Sequence, residues 1–349
     1  MGETTAPSIF LDQDGAWQEP PPLTPIDGAD IGDLQNKLDA LLKNVMNAGG
    51  ALPREVSGLA NILYKALVPG SLRRHLRERA EEEEAPVLRI HVQKSYDWIP
   101  WELLHDGEGF LGLRFKIARI PIVAKPPDMS ARTNHPIRRV RSVLGADVVE
   151  SAASDEFTRW CATFDGLLPE GAEQCRLPAA DIDENGWPTT DVFDDLQDDD
   201  IVHFTCHGSI KEGEPYWTFK PDDQAYWRYD VTPSTLTTLS LTRTTPLVFG
   251  NACKSAASSV GLLPGLATQL FGLGALNVVA TFAPISQALA IDFARLFYER
   301  LLGSNGTQAT TIVDALWATK RHYAEAEHPD PSYLFYCLYG PPDTTFMSQ

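Results

Sequence analysis

Two short stretches carry residue types that can do chemistry together. Ile201-Val-His-Phe-Thr-Cys-His207-Gly208 is an apolar run ending on a histidine and a glycine, and Leu247-Val-Phe-Gly-Asn251-Ala-Cys253 is an apolar run ending on a cysteine. A cysteine is nucleophilic as its thiolate, and a helix N-terminus or oriented N–H groups lower its pKa. A cysteine that ends a strand ahead of a helix has both nearby. A histidine takes or gives a proton near neutrality. Cys253 is therefore the candidate nucleophile and His207 its acid/base partner. Gly208 lets a carbonyl approach the backbone. Its N–H and that of Cys253 are candidates for an oxyanion hole, which stabilises a tetrahedral oxyanion more than the ground-state carbonyl.

The elements that must position these residues are two short strands. Leu247, Val248 and Phe249 lie between Pro246 and Gly250, a run too short for a helix. If this strand and the one over 201–205 are parallel neighbours, His207 and Cys253 emerge together at the carboxyl edge of the sheet, where open α/β folds build their sites. Strand alternation turns Cys206 away from His207 into packing. It puts His203 on the face of His207, as a packed or hydrogen-bonded residue. The same alternation splits His203, Cys206 and His207 as zinc ligands, so no metal is expected.

The rest of the chain fits around that pair. Leu34, Leu38, Leu41, Leu42 and Val45, then Val56, Leu59, Ala60, Leu63 and Leu67, repeat at helical spacing. Leu88–Val92 alternates as a half-buried strand, and the stretch from Asp97 to Pro121 reads as a short helix followed by a hairpin-like return. Trp98 and Trp101 read as core aromatics. From Ser142 onward, apolar strands alternate with helices, which predicts an α/β fold with a mostly parallel sheet and helices on both faces. Three regions follow: a Pro-rich extended arm over 1–30, an N-terminal half over 31–135, and a second half over 136–349, with a linker-like stretch before the boundary.

For a substrate pocket, Asp147 ends the strand over 143–146 at the same edge as the pair. It either lines the pocket and favours Lys or Arg, or is a solvated loop acid. Asn251, Thr281 and Gln287 are the other pocket candidates, and they would favour a neutral or apolar residue. A Gly-x-Ser-x-Gly elbow, a phosphate loop and His-Glu-x-x-His are all absent from the sequence. The chemistry needs no cofactor.

Composition narrows the class further. At 43% hydrophobic and 22% charged the chain is globular, and a net charge of −18 argues against nucleic acid and anionic membranes as partners. Five cysteines form no disulfide framework, which points to a reducing cytoplasm. The first residues, Met1-Gly-Glu-Thr-Thr-Ala, lack the pattern of a signal peptide, and no apolar run reaches transmembrane length.

The spacing of the pair resembles that of caspases, whose histidine lies about 50 residues upstream of the cysteine. The caspase Gln-Ala-Cys becomes Asn251-Ala252-Cys253 here, so caspase specificity does not carry over. The closer resemblance is to the CHAT family, the caspase- and separase-like bacterial peptidases. Three blocks carry it: Ile99-Pro-Trp-Glu-Leu-Leu104 with Phe110-Leu-Gly-Leu113 and Arg119-Ile-Pro121; His203-Phe-Thr-Cys-His207-Gly208; and Asn251-Ala-Cys253 with Ser255, continued by Leu266-Ala, Gly274-Ala and Val278-Val-Ala-Thr281. The resemblance implies a cysteine endopeptidase with a His207–Cys253 dyad, acting on a protein substrate in bacterial regulated proteolysis, including antiviral defence and cell death. It also implies that the N-terminal half is a degenerate caspase-like unit. No attached sensor repeats are visible, so the expected trigger is a separate activator protein or self-association. The alternatives are a silent CHAT-like binding module and a thiol acyltransferase.

Overall fold

Alternation along two strands, Ile201–Thr205 and Leu247–Asn251, divides the interior into two apolar layers. Ile201, Leu247 and Phe249 belong to one cluster, and Val202, Phe204 and Val248 to the other. The computed structural model describes residues 8–13, 16–17, 28–48, 52, 54–81, 85–93, 96–127, 134–144, 173–177, 196–211, 214–219, 229–233, 236, 241–252, 265–303 and 309–347.

In chain order these residues form β1 (Ser8–Gln13), β2 (Ala16–Trp17), α1 (Gly28–Asn47), α2 (Arg54–Leu67), α3 (Gly70–Ala80), β3 (Val87–Val92), α4 (Leu111–Arg114) and β4 (Lys116–Pro121). The chain continues through β5 (Asn134–Pro136), β6 (Arg139–Leu144), β7 (Glu173–Leu177), β8 (Ile201–Thr205), β9 (His207–Lys211), β10 (Glu214–Phe219), β11 (Tyr229–Val231) and β12 (Leu247–Asn251). It closes with α5 (Leu266–Gly272), β13 (Asn277–Thr281), α6 (Gln287–Leu302), α7 (Ile312–Glu325), β14 (Tyr336–Tyr339) and β15 (Thr345–Met347).

Ten strands make the main sheet, in the order β2-β1-β3-β4-β14-β13-β12-β8-β6-β7. From β7 to β13 every pairing is parallel. β14 then runs antiparallel to β13, and β4 and β3 run parallel to β14. Apart from the antiparallel edge made by β1 and β2, the sheet is two parallel blocks of opposite direction that meet where β14 pairs with β13. This is the α/β, mostly parallel architecture expected from the alternation of apolar strands and helices.

The helices lie on both faces for the reason the periodicity gives. Leu34, Leu38, Leu41 and Val45 of α1, and Leu289, Phe293, Phe297 and Leu301 of α6, bury one stripe each in the first cluster. Leu266, Ala267, Leu270 and Phe271 of α5 pack in the second. Helix α6 starts at Ser286, whose hydroxyl accepts from the Leu289 N–H, and α7 starts at Thr311, which does the same for Asp314.

Three features differ from the sequence reading. The return from β3 to β4 is a parallel crossover, not a hairpin, with Val87 opposite Lys116 and Val92 opposite Pro121. The intervening turn at Trp101–Leu103 and α4 pack as a layer and carry the chain back to the same end of the sheet before β4 begins. Within the Pro-rich arm, β1 pairs antiparallel with β3, Ile9 opposite Ile90. The third difference lies at His207, which opens a strand of a separate antiparallel sheet, β11-β10-β9. The residues Phe157, Trp160, Cys161, Phe164, Leu167 and Leu168, whose spacing predicts a helix, lie outside the described residues.

Candidate active site

Strands β8 and β12 are buried along their whole length and pair in parallel, from Leu247 opposite Ile201 to Asn251 opposite Thr205. Their β-branched and aromatic side chains suit a strand covered on both faces. Beyond Thr205 the chain passes through buried Cys206 to exposed His207 and partly exposed Gly208. Thus Cys206 and His207 do take opposite environments. His207 pairs with Thr218, and Gly208 with Trp217, in the small sheet. Trp217 is buried and its ring lies 4.7 Å from that of Phe204, so this sheet is moored to β8 by an aromatic contact. His207 is therefore held on strand backbone while its side chain stays open to solvent.

Cys253 and Asp147 lie outside the described residues. In sequence Cys253 follows Asn251 by two residues, as His207 follows Thr205 by two. Of the other pocket candidates, Gln287 is exposed at the first position of α6. Asn251 is buried; its Oδ1 accepts from the Tyr336 hydroxyl at 2.8 Å, and its Nδ2 donates to the Ala290 carbonyl at 3.0 Å. Thr281 is buried as well, and its hydroxyl donates to the Ala252 carbonyl at 2.8 Å.

His203 is fully buried, stacks on Phe249 at 4.9 Å, and its Nδ1 lies 3.2 Å from the Tyr298 hydroxyl. Burial pushes its pKa down to about 3, so the ring is neutral. It is packed and hydrogen-bonded, and it sits in the layer opposite Cys206. Burial pushes the Cys337 thiol pKa up, and its sulfur donates to the Ala280 carbonyl, which is the behaviour of a structural cysteine. Among the described residues, no cluster of three or more His, Cys, Asp or Glu side chains is arranged to hold a metal ion.

Sequence reasoning missed a second polar constellation, built on the first motif block. Glu102 and Arg119 are fully buried and form a two-pronged ion pair, Nε to Oε1 at 3.3 Å and Nη2 to Oε2. Gly112 of α4 makes room for it, because a Cβ there would lie 2.9 Å from the Glu102 Cβ. Next to the pair, buried Asp97 accepts from the Tyr339 hydroxyl at 2.8 Å and the Thr268 hydroxyl at 2.6 Å. Burial raises the Asp97 pKa, against the opposing pull of Arg119, Thr268, Tyr339 and the Gly265 N–H. Burial alone would lower the pKa of Arg119, but Glu102 holds it above the ordinary value. Arg119 also sits over the Phe282 ring, 4.2 Å from its centre. The Glu102–Arg119 pair thus fastens the turn at Trp101–Leu103 to β4, and Asp97 links the residues before that turn to Tyr339 of β14. The signal available in sequence was only that a Glu and an Arg sat inside otherwise apolar blocks.

The geometry has relatives. No curated protein matches the sequence. Among solved structures, the Porphyromonas gingivalis RgpB pro- and mature domains align with TM-score 0.51 at 12% identity, over 92% of this chain and 78% of that one. The Saccharomyces cerevisiae separase–securin complex aligns with TM-score 0.47 at 14% identity, over 92% of this chain and 23% of that one. The Drosophila initiator caspase Dronc aligns with TM-score 0.40 at 10% identity, over 66% of this chain and 92% of that one. The RgpB match supports the fold: a caspase-like α/β sheet. The CHAT domain model matches residues 57–337, a range that contains all three motif blocks. The chain belongs to the CHAT-domain family.

Proposed function

We propose that the protein is a caspase-like cysteine endopeptidase with Cys253 as nucleophile and His207 as acid/base. The observation that supports this most directly is the parallel register of β8 and β12. It ends at Thr205 opposite Asn251, two residues before His207 on one strand and two residues before Cys253 on the other.

The chemistry runs in two halves. The Cys253 sulfur attacks the scissile carbonyl carbon, and charge develops on the carbonyl oxygen, facing the N–H groups of Gly208 and Cys253. The C–N bond breaks as His207 gives its proton to the leaving amine, which leaves a thioester. Water then loses a proton to His207 and attacks the thioester carbon. The C–S bond breaks, and the sulfur leaves as thiolate. The candidates for pocket selectivity are Asp147, Asn251, Thr281 and Gln287. A separate activator protein or self-association controls the enzyme.

The test is incubation of the protein with a denatured bacterial proteome, beside Cys253→Ala and His207→Ala, with new N-termini counted by mass spectrometry. A parallel arm adds lysate from stressed or phage-infected cells as a source of activator. Cleavage present in the wild type and lost in both variants is the expected result. Equal cleavage, or none in either arm, overturns the reading in favour of a binding module.

A further inference from the structure

Helix α3 is basic on an acidic chain. Between Arg54 and Ala80 the sequence holds six Lys and Arg against two Glu, while the whole chain carries a net charge of −18. Arg73, Arg74, Arg77 and Arg79 all belong to α3, which buries Leu72 and Leu76 and has Glu78 as its acid. Arg74 and Arg77 are exposed, and Arg73 is half-buried. Among the described residues, no ion pair joins Arg73, Arg74 or Arg77 to an acid. Arg73 Nη1 reaches the Lys65 carbonyl at 3.4 Å, a long contact on an exposed side chain.

Tyr64 of α2 stands within electrostatic reach of Arg73, Arg77 and Arg114. It is 2% exposed, and its hydroxyl makes no hydrogen bond among the described residues. Burial pushes its pKa up to about 12, Asp106 adds to the rise and the three arginines oppose it, so the hydroxyl keeps its proton and stays a donor. A buried donor without an acceptor is costly. Asp106 is engaged elsewhere. It accepts from the N–H groups of Glu108 at 2.9 Å and Gly109 at 3.0 Å, and its Oδ2 lies 3.1 Å from Arg114 Nη1. Arg114 also holds Glu108. The site therefore offers a buried hydroxyl donor beside two arginines that lack a counter-charge. Arg73 and Arg77 are one helical turn apart on the same face, about 6 Å along the axis. Guanidinium forks of this kind match carboxylates.

We propose that Tyr64, Arg73 and Arg77 form a docking site for a carboxylate of an acidic segment of a partner protein, with Arg74 meeting a further acid along the same helix. A nucleic acid carries its charge along its whole length and is repelled by the rest of so acidic a chain. A short acidic segment brings few charges and needs only this one helix. The docking does not depend on the peptidase chemistry.

The probe is a fluorescein-labelled oligoglutamate peptide of about ten residues, titrated with the full chain by fluorescence anisotropy at about 50 mM and about 300 mM salt. The wild type is expected to bind saturably, and more weakly at the higher salt. Arg77→Glu and the double variant Arg73→Glu/Arg77→Glu raise Kd by about tenfold or more, and Tyr64→Phe, which removes only the hydroxyl, raises it by about fivefold. Lys43→Glu, an exposed charge reversal on α1, stays within about twofold of the wild type. Inorganic phosphate and a single DNA strand of matching length compete poorly. If the double variant fails to fold, Arg77→Glu and Tyr64→Phe still decide the outcome. Absence of saturable binding by the wild type overturns the proposal. So does a Tyr64→Phe that binds as well as the wild type, or a Lys43→Glu as damaging as the arginine reversals. A DNA strand that binds more tightly than the peptide overturns the assignment to a protein partner. Binding that emerges only when Glu82, Glu83 and Glu84 are changed to Gln gives the site to the chain's own acidic run and overturns the partner as well.

Discussion

The seam between β4 and β14 and the edge where β8 and β12 end use polar residues in opposite ways. At the seam, Asp97, Glu102 and Arg119 have almost no exposed surface, and every carboxylate oxygen and guanidinium edge described meets a partner on the chain. At the edge, His207 projects into solvent from the first position of a small sheet. A charge buried against a fixed counter-charge cannot change state without a large penalty. An exposed side chain stays hydrated and within reach of other molecules. The seam therefore holds structure, and the edge keeps a side chain exposed to solvent. Strand β8 contains both regimes: His203 is sealed between Phe249 and Tyr298, and His207 stands open four residues later.

Breaking the seam gives the largest expected effect. Glu102→Ala leaves Arg119 buried without its main counter-charge, and chemical denaturation is expected to show a loss of about 3–5 kcal/mol. Replacing Arg119 by Met in the same variant recovers a large part of that loss. A loss below about 1 kcal/mol in the single variant removes the contrast between seam and edge.

The sealed histidine gives the next effect. Its folded pKa, about 3, lies below the ordinary histidine value, so the unfolded chain takes up the proton first. Its contribution to stability is complete above about pH 6.5 and is lost as pH falls toward the folded value. Between pH 7 and pH 5 this amounts to about 2 kcal/mol of lost stability. His203→Asn, which keeps a polar atom toward Tyr298, flattens that part of the stability–pH curve. An equally steep curve in the variant assigns the acid lability to other groups.

The smallest effect sharpens the comparison from the other side. His207→Ala removes an exposed ring, and its stability is expected to stay within about 0.5 kcal/mol of the wild type. Together with lost cleavage this marks a residue kept for chemistry. A large stability loss places His207 with the structural group instead.

How much of this was legible in the sequence depended on whether a feature has a period. The helices α1, α2, α6 and α7 showed as apolar stripes, and β8 and β12 as apolar runs. Alternation alone turned His203 and Cys206 to opposite layers, as the two clusters now place them. The first residues of β9, His207-Gly-Ser-Ile-Lys211, hold a single apolar side chain and no alternation, so nothing announced a strand there. The direction of β4 was hidden because its crossover packs through aperiodic turns. The contacts of Asp97 join residues as far apart as Thr268 and Tyr339, a separation that local pattern does not register. Thr281 stood out in the sequence only as a pocket candidate, and its reach to the Ala252 carbonyl was not legible there.

The position of β14 also bears on when the protein takes shape. It is the last of the ten strands in chain order, yet it lies inside the sheet between β13 and β4. During synthesis, β3 and β4 and the block from β6 to β13 emerge before the strand that joins them exists. Until Tyr336–Tyr339 leaves the ribosome, β4 and β13 both present an open edge and Asp97 lacks its tyrosine partner. Tyr336 is also the residue that grips Asn251, two positions before Cys253 in the sequence. A nascent chain thus lacks this grip on the end of β12 until nearly all of the described fold has been made.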